Sequence, residues 1–195
     1  MKTITLLRSL FTAAIFISLS SCGTSASDDS TGGKTVGSSS SVIGGSYHMI
    51  SMTSDISVDL NNDGMISKDL LTEIDPSFFD PKNPELVIKP VIYNNQIEDL
   101  MSFYLPHANI STTNPNVTGG VSFSRNGLGY IYNIDTSTQV INVDKNEHDS
   151  TSVGIMQNIE VAGKDMLKAV FTKSYYDFSS RKWLLLTITC VYKKI

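Results

Sequence analysis

The sequence predicts a mostly β protein, an antiparallel barrel or sandwich of about eight to ten strands with one short helix. Three observations carry this. From residue 45 onward, apolar and polar residues alternate in short runs, the two-residue period of a half-buried strand. Asn, Asp, Gly and Pro separate those runs, the residues that make turns. The final run, Trp183-Leu-Leu-Leu-Thr-Ile-Thr-Cys-Val-Tyr192, is dense in aliphatic and β-branched residues.

The predicted elements follow in chain order. Ser46–Thr53 alternates and forms the first strand. Leu86–Tyr93 forms a second, with Pro90 confining it to an edge or a bulge because proline donates no ladder hydrogen bond. After a turn at Asn94-Asn95 the chain returns as Leu100–Leu105. Val121–Arg125 and Gly129–Ile134 flank Asn126-Gly127, a strong hairpin signal. Gln139–Val143, Val153–Val161, Met166–Lys173 and Trp183–Tyr192 complete the set. The last two should pair across the loop at 176–182. In the last strand Leu184, Leu186, Ile188, Cys190 and Tyr192 share the more apolar face. The one short helix is expected at Ser67–Ile74, with Ser67 as N-cap and Asp69 in its first turn.

The N-terminus carries a separate message. Lys2 and Arg8 precede an apolar run, Leu10–Leu19, too short to span a bilayer and flanked as a secretory signal is. Leu19-Ser20-Ser21-Cys22 resembles the lipobox of bacterial lipoproteins. That resemblance implies a signal peptide at 1–21 and lipidation of Cys22. Membrane anchoring follows, since two or more acyl chains hold a protein stably where one does not. The segment 22–44 is nearly all Gly, Ser, Thr and Asp and is expected to be a tether. A random coil of that length spans roughly 25 Å. Gly23 after the lipidated Cys favours the outer membrane, and Asp28-Asp29 resembles an acidic surface-export signal. The folded domain is expected over 45–195.

Loss of Lys2 and Arg8 with the signal takes the formal charge from −4 to −6. No basic patch suggests nucleic acid. If Cys22 is lipidated, Cys190 has no disulfide partner and should be a buried thiol.

Asp59-Leu-Asn-Asn-Asp-Gly-Met-Ile-Ser-Lys-Asp-Leu-Leu71 partly matches a calcium loop. Asp59, Asn61 and Asp63 take positions 1, 3 and 5, Gly64 makes the turn, Met65 offers a carbonyl and Ser67 takes position 9. Position 12 is Leu70, which cannot bind, so Asp69 or Glu73 would have to swing in. The other reading is a polar turn, because Asp and Asn side chains bond their own backbone.

No catalytic motif stands out. His48, His107 and His148 lack zinc spacing, and there is no GxSxG elbow, no phosphate-binding glycine loop and no CxxC. Asp75, Asp80 and Glu85 lie among Pro76, Pro81 and Pro84 and read as a rigid acidic loop. Met101, Phe103, Tyr130, Tyr132 and Phe171 are the candidates to line a ligand cavity in a small barrel, or else to fill its core. Asp29-Ser30-Thr31 and Asp149-Ser150-Thr151 resemble Bacteroidetes O-glycosylation acceptors at Ser30 and Ser150.

Taken together, the chain resembles the lipocalin-like lipoproteins of Bacteroidetes. The features that carry this are the lipobox and tether, the opening strand Gly45-Ser-Tyr-His-Met-Ile-Ser-Met52 and the following Val58–Leu71. To these are added Phe123-Ser-Arg-Asn-Gly-Leu-Gly-Tyr130 and the closing hairpin from Trp183 to Lys193. The resemblance implies a lipocalin-like barrel at the outer membrane or cell surface. Such a barrel would bind a small apolar ligand or an envelope partner. The alternative is an interaction module with a solid core, steadied by calcium.

Overall fold

A computed structural model describes residues 40–110, 121–135, 137–144 and 149–195. The signal peptide, Cys22, most of the tether, Ser30 and His148 lie outside the described residues.

The described chain opens with a single helical turn, α1 (Ser40–Ile43). Nine strands follow: β1 (Gly45–Val58), β2 (Ser67–Asp69), β3 (Leu86–Tyr93), β4 (Gln96–Asn109), β5 (Ser122–Asp135), β6 (Val140–Val143), β7 (Ile155–Gly163), β8 (Met166–Asp177) and β9 (Lys182–Lys194). Eight form a nearly closed antiparallel barrel in the order β6-β5-β4-β3-β1-β9-β8-β7, and β2 adds to β1. The two ends of that path, β6 and β7, approach each other without sharing a ladder.

The predicted alternation appears as burial. Along β8 every second residue from Leu167 to Asp177 is buried. Along β9 Leu186, Ile188, Cys190 and Tyr192 are buried, while Trp183 and Leu185 stay more than half exposed on the outer face. β8 and β9 pair without a break from Met166↔Lys193 to Asp177↔Lys182. Cys190 is a free, buried thiol, and burial raises its pKa to about 12.

The turn at Asn94-Asn95 forms as expected. Both residues take positive φ, 50° and 60°, and Tyr93 pairs with Gln96 across a two-residue loop. Pro90 costs no ladder bond, because β3 pairs with β1 only through Leu86, Val87 and Ile88 and leaves that edge open beyond.

Two local expectations fail. Asn126-Gly127 is not a turn. Both residues lie inside β5, opposite Leu105 and Tyr104, and neither has positive φ. Ser67–Ile74 is not a helix. Ser67 and Asp69 pair with Val58 and Thr53, and the Leu70 amide bonds the Met52 carbonyl. Pairing with β1 captures a segment whose own helical preference is weak. Leu70 and Ile74 still go into the core, but from a turn. The order also starts before residue 45: Ile43 is buried, and the Tyr47 hydroxyl donates to its carbonyl at 2.5 Å.

Inside the barrel, large side chains are packed together. The Phe103 ring meets Tyr130, Phe171 and Tyr192 edge-on, at 6.2, 5.2 and 5.8 Å between centroids. Met52, Met101, Leu105 and Ile188 close the space around them. Edge-on pairs of this kind add about 0.5–1.5 kcal/mol each beyond their buried area.

Candidate functional site

The open seam between β6 and β7 holds a cleft of about 180 Å³. Ile141 and Val143 of β6 and Met156 and Ile159 of β7 supply its apolar wall, and Asn142, Gln157, Asn158 and Asp149 its polar one. The Tyr130 hydroxyl donates to Asp149 Oδ1 at 3.1 Å and accepts from the Met156 amide at 3.0 Å. Burial, outweighing the Met156 hydrogen bond, raises the Tyr130 pKa to about 12, and the Asp149 charge adds to it. The phenol therefore stays protonated and serves as a fixed hydrogen-bonding group, not as a base.

Of the five residues expected to line a cavity, only Tyr130 borders this cleft. Met101, Phe103 and Phe171 are fully buried in the core, and Tyr132 is 4% exposed with its hydroxyl unpaired.

The loop after β1 closes on itself. Asp59 is 2% exposed and accepts the Asn62 amide on Oδ1 and the Gly64 amide on Oδ2. Asn61 accepts the Asp63 amide, Asp63 the Met65 amide, the Ser67 hydroxyl the Asp69 amide, and Asp69 the Leu71 amide. Five of the six residues considered for calcium thus supply side-chain acceptors for successive local turns, and Met65 takes part only through its amide. Met65 and Asp69 are exposed. Glu73 is the acid that swings inward, and its Oε2 accepts the Leu60 amide at 2.9 Å. Burial raises its pKa and the Asp63 and Asp59 charges add to this, against the lowering effect of the Leu60 and Asn61 amides. Among the described residues no group of three or more His, Cys, Asp or Glu side chains is gathered as metal ligands.

Asp177 fastens this loop to the barrel. Its Oδ1 accepts the Asp59 amide at 2.8 Å, and its Oδ2 accepts the Ser179 hydroxyl and the Ser180 amide. Burial pushes its carboxyl up, but these hydrogen bonds win and hold it at about 2.

The acidic loop before β3 has the structural role its prolines suggested. Glu85 is 1% exposed, accepts the Met49 amide and faces His48 at 3.1 Å and Arg125 at 3.4 Å. Arg125 lies over the Phe78 and Tyr104 rings and donates to the Phe78 and Pro84 carbonyls. Lys173 is fully buried, and its Nζ donates to the Ser152 and Val153 carbonyls, pinning the turn that contains Ser150. Burial lowers its pKa to about 8. Sequence reasoning passed over Arg125, Lys173 and Asp177. The signal for the last two was present, because both fall on the buried parity of β8.

Ser150 is half-buried, its hydroxyl 3.0 Å from that of Ser152. His48 and His107 are far apart in role: the first binds Glu85 and the Pro81 carbonyl, the second borders an open surface hollow with Trp183. No family model, curated protein or solved structure matches the chain.

Proposed function

We propose that the protein is a lipid-anchored lipoprotein of the outer membrane or cell surface whose β domain is a solid-core interaction module. The observation that carries the second half is the ring cluster around Phe103, which occupies the space a barrel ligand would need. The anchor rests on Leu19-Ser20-Ser21-Cys22 and the tether-like composition after it. The kinship proposed, from the same motifs, is with lipocalin-like lipoproteins of Bacteroidetes.

One observation favours a small apolar ligand instead: the seam cleft has an apolar wall and fixed polar groups. Its volume of about 180 Å³ is below the roughly 300 Å³ at which ordinary ligand pockets begin.

The chain expressed in a lipoprotein-processing bacterium tests both halves. Alkynyl-palmitate labelling should mark the wild type and not Cys22→Ala. Native mass spectrometry should show the acylated polypeptide alone. A stoichiometric apolar small molecule in that spectrum would overturn the solid-core reading and support the cleft. Equal labelling of the Cys22→Ala chain, or none of either, would remove the anchor.

A further inference from the structure

The hairpin of β3 and β4 runs past the end of the barrel. β1 begins at Gly45, opposite Ile88, so Lys89–Tyr93 extend beyond it. On the core-facing parity, Leu86 and Ile88 pair with Phe103 and Met101, and all four are buried. Further along the same face, Ile92 pairs with Ile97, and these two are 80% and 71% exposed. Tyr93, on the other face of the tip, is 61% exposed. Three more exposed aliphatic residues lie at the same end of the barrel: Val42 on α1, Val140 at the start of β6 and Ile195 after β9.

This is also the end at which the chain enters. α1 packs beside β3 and leads directly into β1. Residues 23–39, the stretch between Cys22 and α1, therefore join the fold at the rim that carries the exposed apolar residues. A coil of that length reaches about 20–25 Å, so a lipid on Cys22 keeps this rim within reach of the bilayer.

We infer that this rim is a second membrane contact, in which Ile92, Tyr93 and Ile97 insert into the lipid surface to which Cys22 is anchored. The inference rests on the lipoprotein reading above and names which end of the domain faces the membrane. The hairpin tip suits the interface. On β4 only Gln96 and Ile97 precede the first charge, Glu98, whereas on β3 the first charge is Lys89, behind Pro90. The shorter arm sets a depth of roughly 7 Å, and interfacial elements sit about 5–10 Å deep. Tyr93 is of the type that occupies the headgroup level. The first charges behind the tip, Lys89 against Glu98 and Asp99, are of mixed sign, so insertion needs no anionic lipid. The rim is a projecting edge and not a groove, which fits a fluid surface better than a folded partner.

The test uses the full processed chain, incorporated into phosphatidylcholine vesicles with bromine on the upper acyl segment. Trp183, the single tryptophan, lies at the β8–β9 turn at the opposite end and is the internal control. A Trp183→Phe/Ile92→Trp chain moves the reporter to the tip. The expected result is strong quenching and a blue shift for the tip reporter, with Trp183 in the wild type close to unquenched. Adding Ile97→Asp to the reporter chain should abolish the quenching with the melting temperature unchanged. Flotation with the vesicles but equal or absent quenching at the tip overturns the inference and leaves the anchor standing. Failure of the wild type to float, together with no acyl mass on Cys22, removes the lipoprotein reading and the inference with it. Dimers in vesicle-free buffer that dissociate in Ile92→Asp/Ile97→Asp, without tip quenching in vesicles, overturn it in favour of a second copy of the chain.

Discussion

The hairpins β8–β9 and β3–β4 follow the same rule and meet different fates. Each alternates apolar and polar residues, but β3–β4 turns through Asn94 and Asn95, which tolerate positive φ, and β8–β9 through a turn in which Arg181 takes φ 58°. In β8–β9 the inward face is buried over almost its whole length, from Leu167 to Asp177 and from Leu186 to Tyr192. In β3–β4 burial stops after Ile88 and Met101, and the next core-parity aliphatic pair, Ile92 and Ile97, is bare. The difference is not in the hairpins themselves. β9 lies against β1 and β8 against β7, whereas β3 loses its neighbour at Gly45. Alternation assigns a residue to a face, and the neighbouring strand decides whether that face is covered.

The largest expected break is Phe171→Ala in β8, which removes one of the rings packed on Phe103. Loss of a core aromatic costs about 3–5 kcal/mol, to be read as a fall in denaturation midpoint. On β3 itself, Ile88→Ala should cost about 2–4 kcal/mol, while Ile92→Ala, four pairs further out, should stay within about 0.5 kcal/mol. Equal costs at the two positions would mean that something covers the tip in solution.

Asp177, at the last inward position of β8, adds a pH signature. Its folded pKa of about 2 lies below the value in an unfolded chain, so its contribution is present above pH of about 4. That contribution is about 2 kcal/mol and is lost as pH falls from about 4 to 2. Asp177→Asn should lower stability at pH 7 and flatten the acid limb of urea melts between those values. A variant with the wild-type acid slope would show that the fastening of the Asp59 amide is not electrostatic.

Tyr132→Phe is the core substitution expected not to destabilise. Its buried hydroxyl has no hydrogen-bond partner among the described residues, so removal should leave stability unchanged or raise it by up to about 1 kcal/mol. A loss well beyond that in thermal melts would point to a bound water or ligand at that oxygen.

Much of the fold was legible because a strand writes its two faces into its own residues. The buried face of β9 and the turn at Asn94-Asn95 follow from local chemistry, and the edge position of Pro90 follows from its missing donor. The seam cleft was not legible, because β6 and β7 are separated by another turn and their approach depends on how far the barrel closes. Arg125 was equally hidden. Its two rings and its carbonyl partners come from the loop at 76–85 and from β4, and a lone arginine in a strand gives no hint of either. The loop at Asp59 was half legible: a turn whose side chains bond their own backbone was one of the two readings, but its fastening by Asp177, 118 residues along the chain, was not visible.

By itself the sequence determined that this domain is antiparallel β, which face of β9 is apolar and that Asn94-Asn95 is a turn. These depend on backbone preference and side-chain period, both local. The tertiary structure alone decided that Asn126-Gly127 is strand, that Ser67–Ile74 is not helix and that Phe103 packs against three other rings. It also decided that Ile92 and Ile97 stay exposed while their neighbours on the same face do not. In each case the outcome turned on a partner from another segment, present or missing, that outweighed a weak local preference.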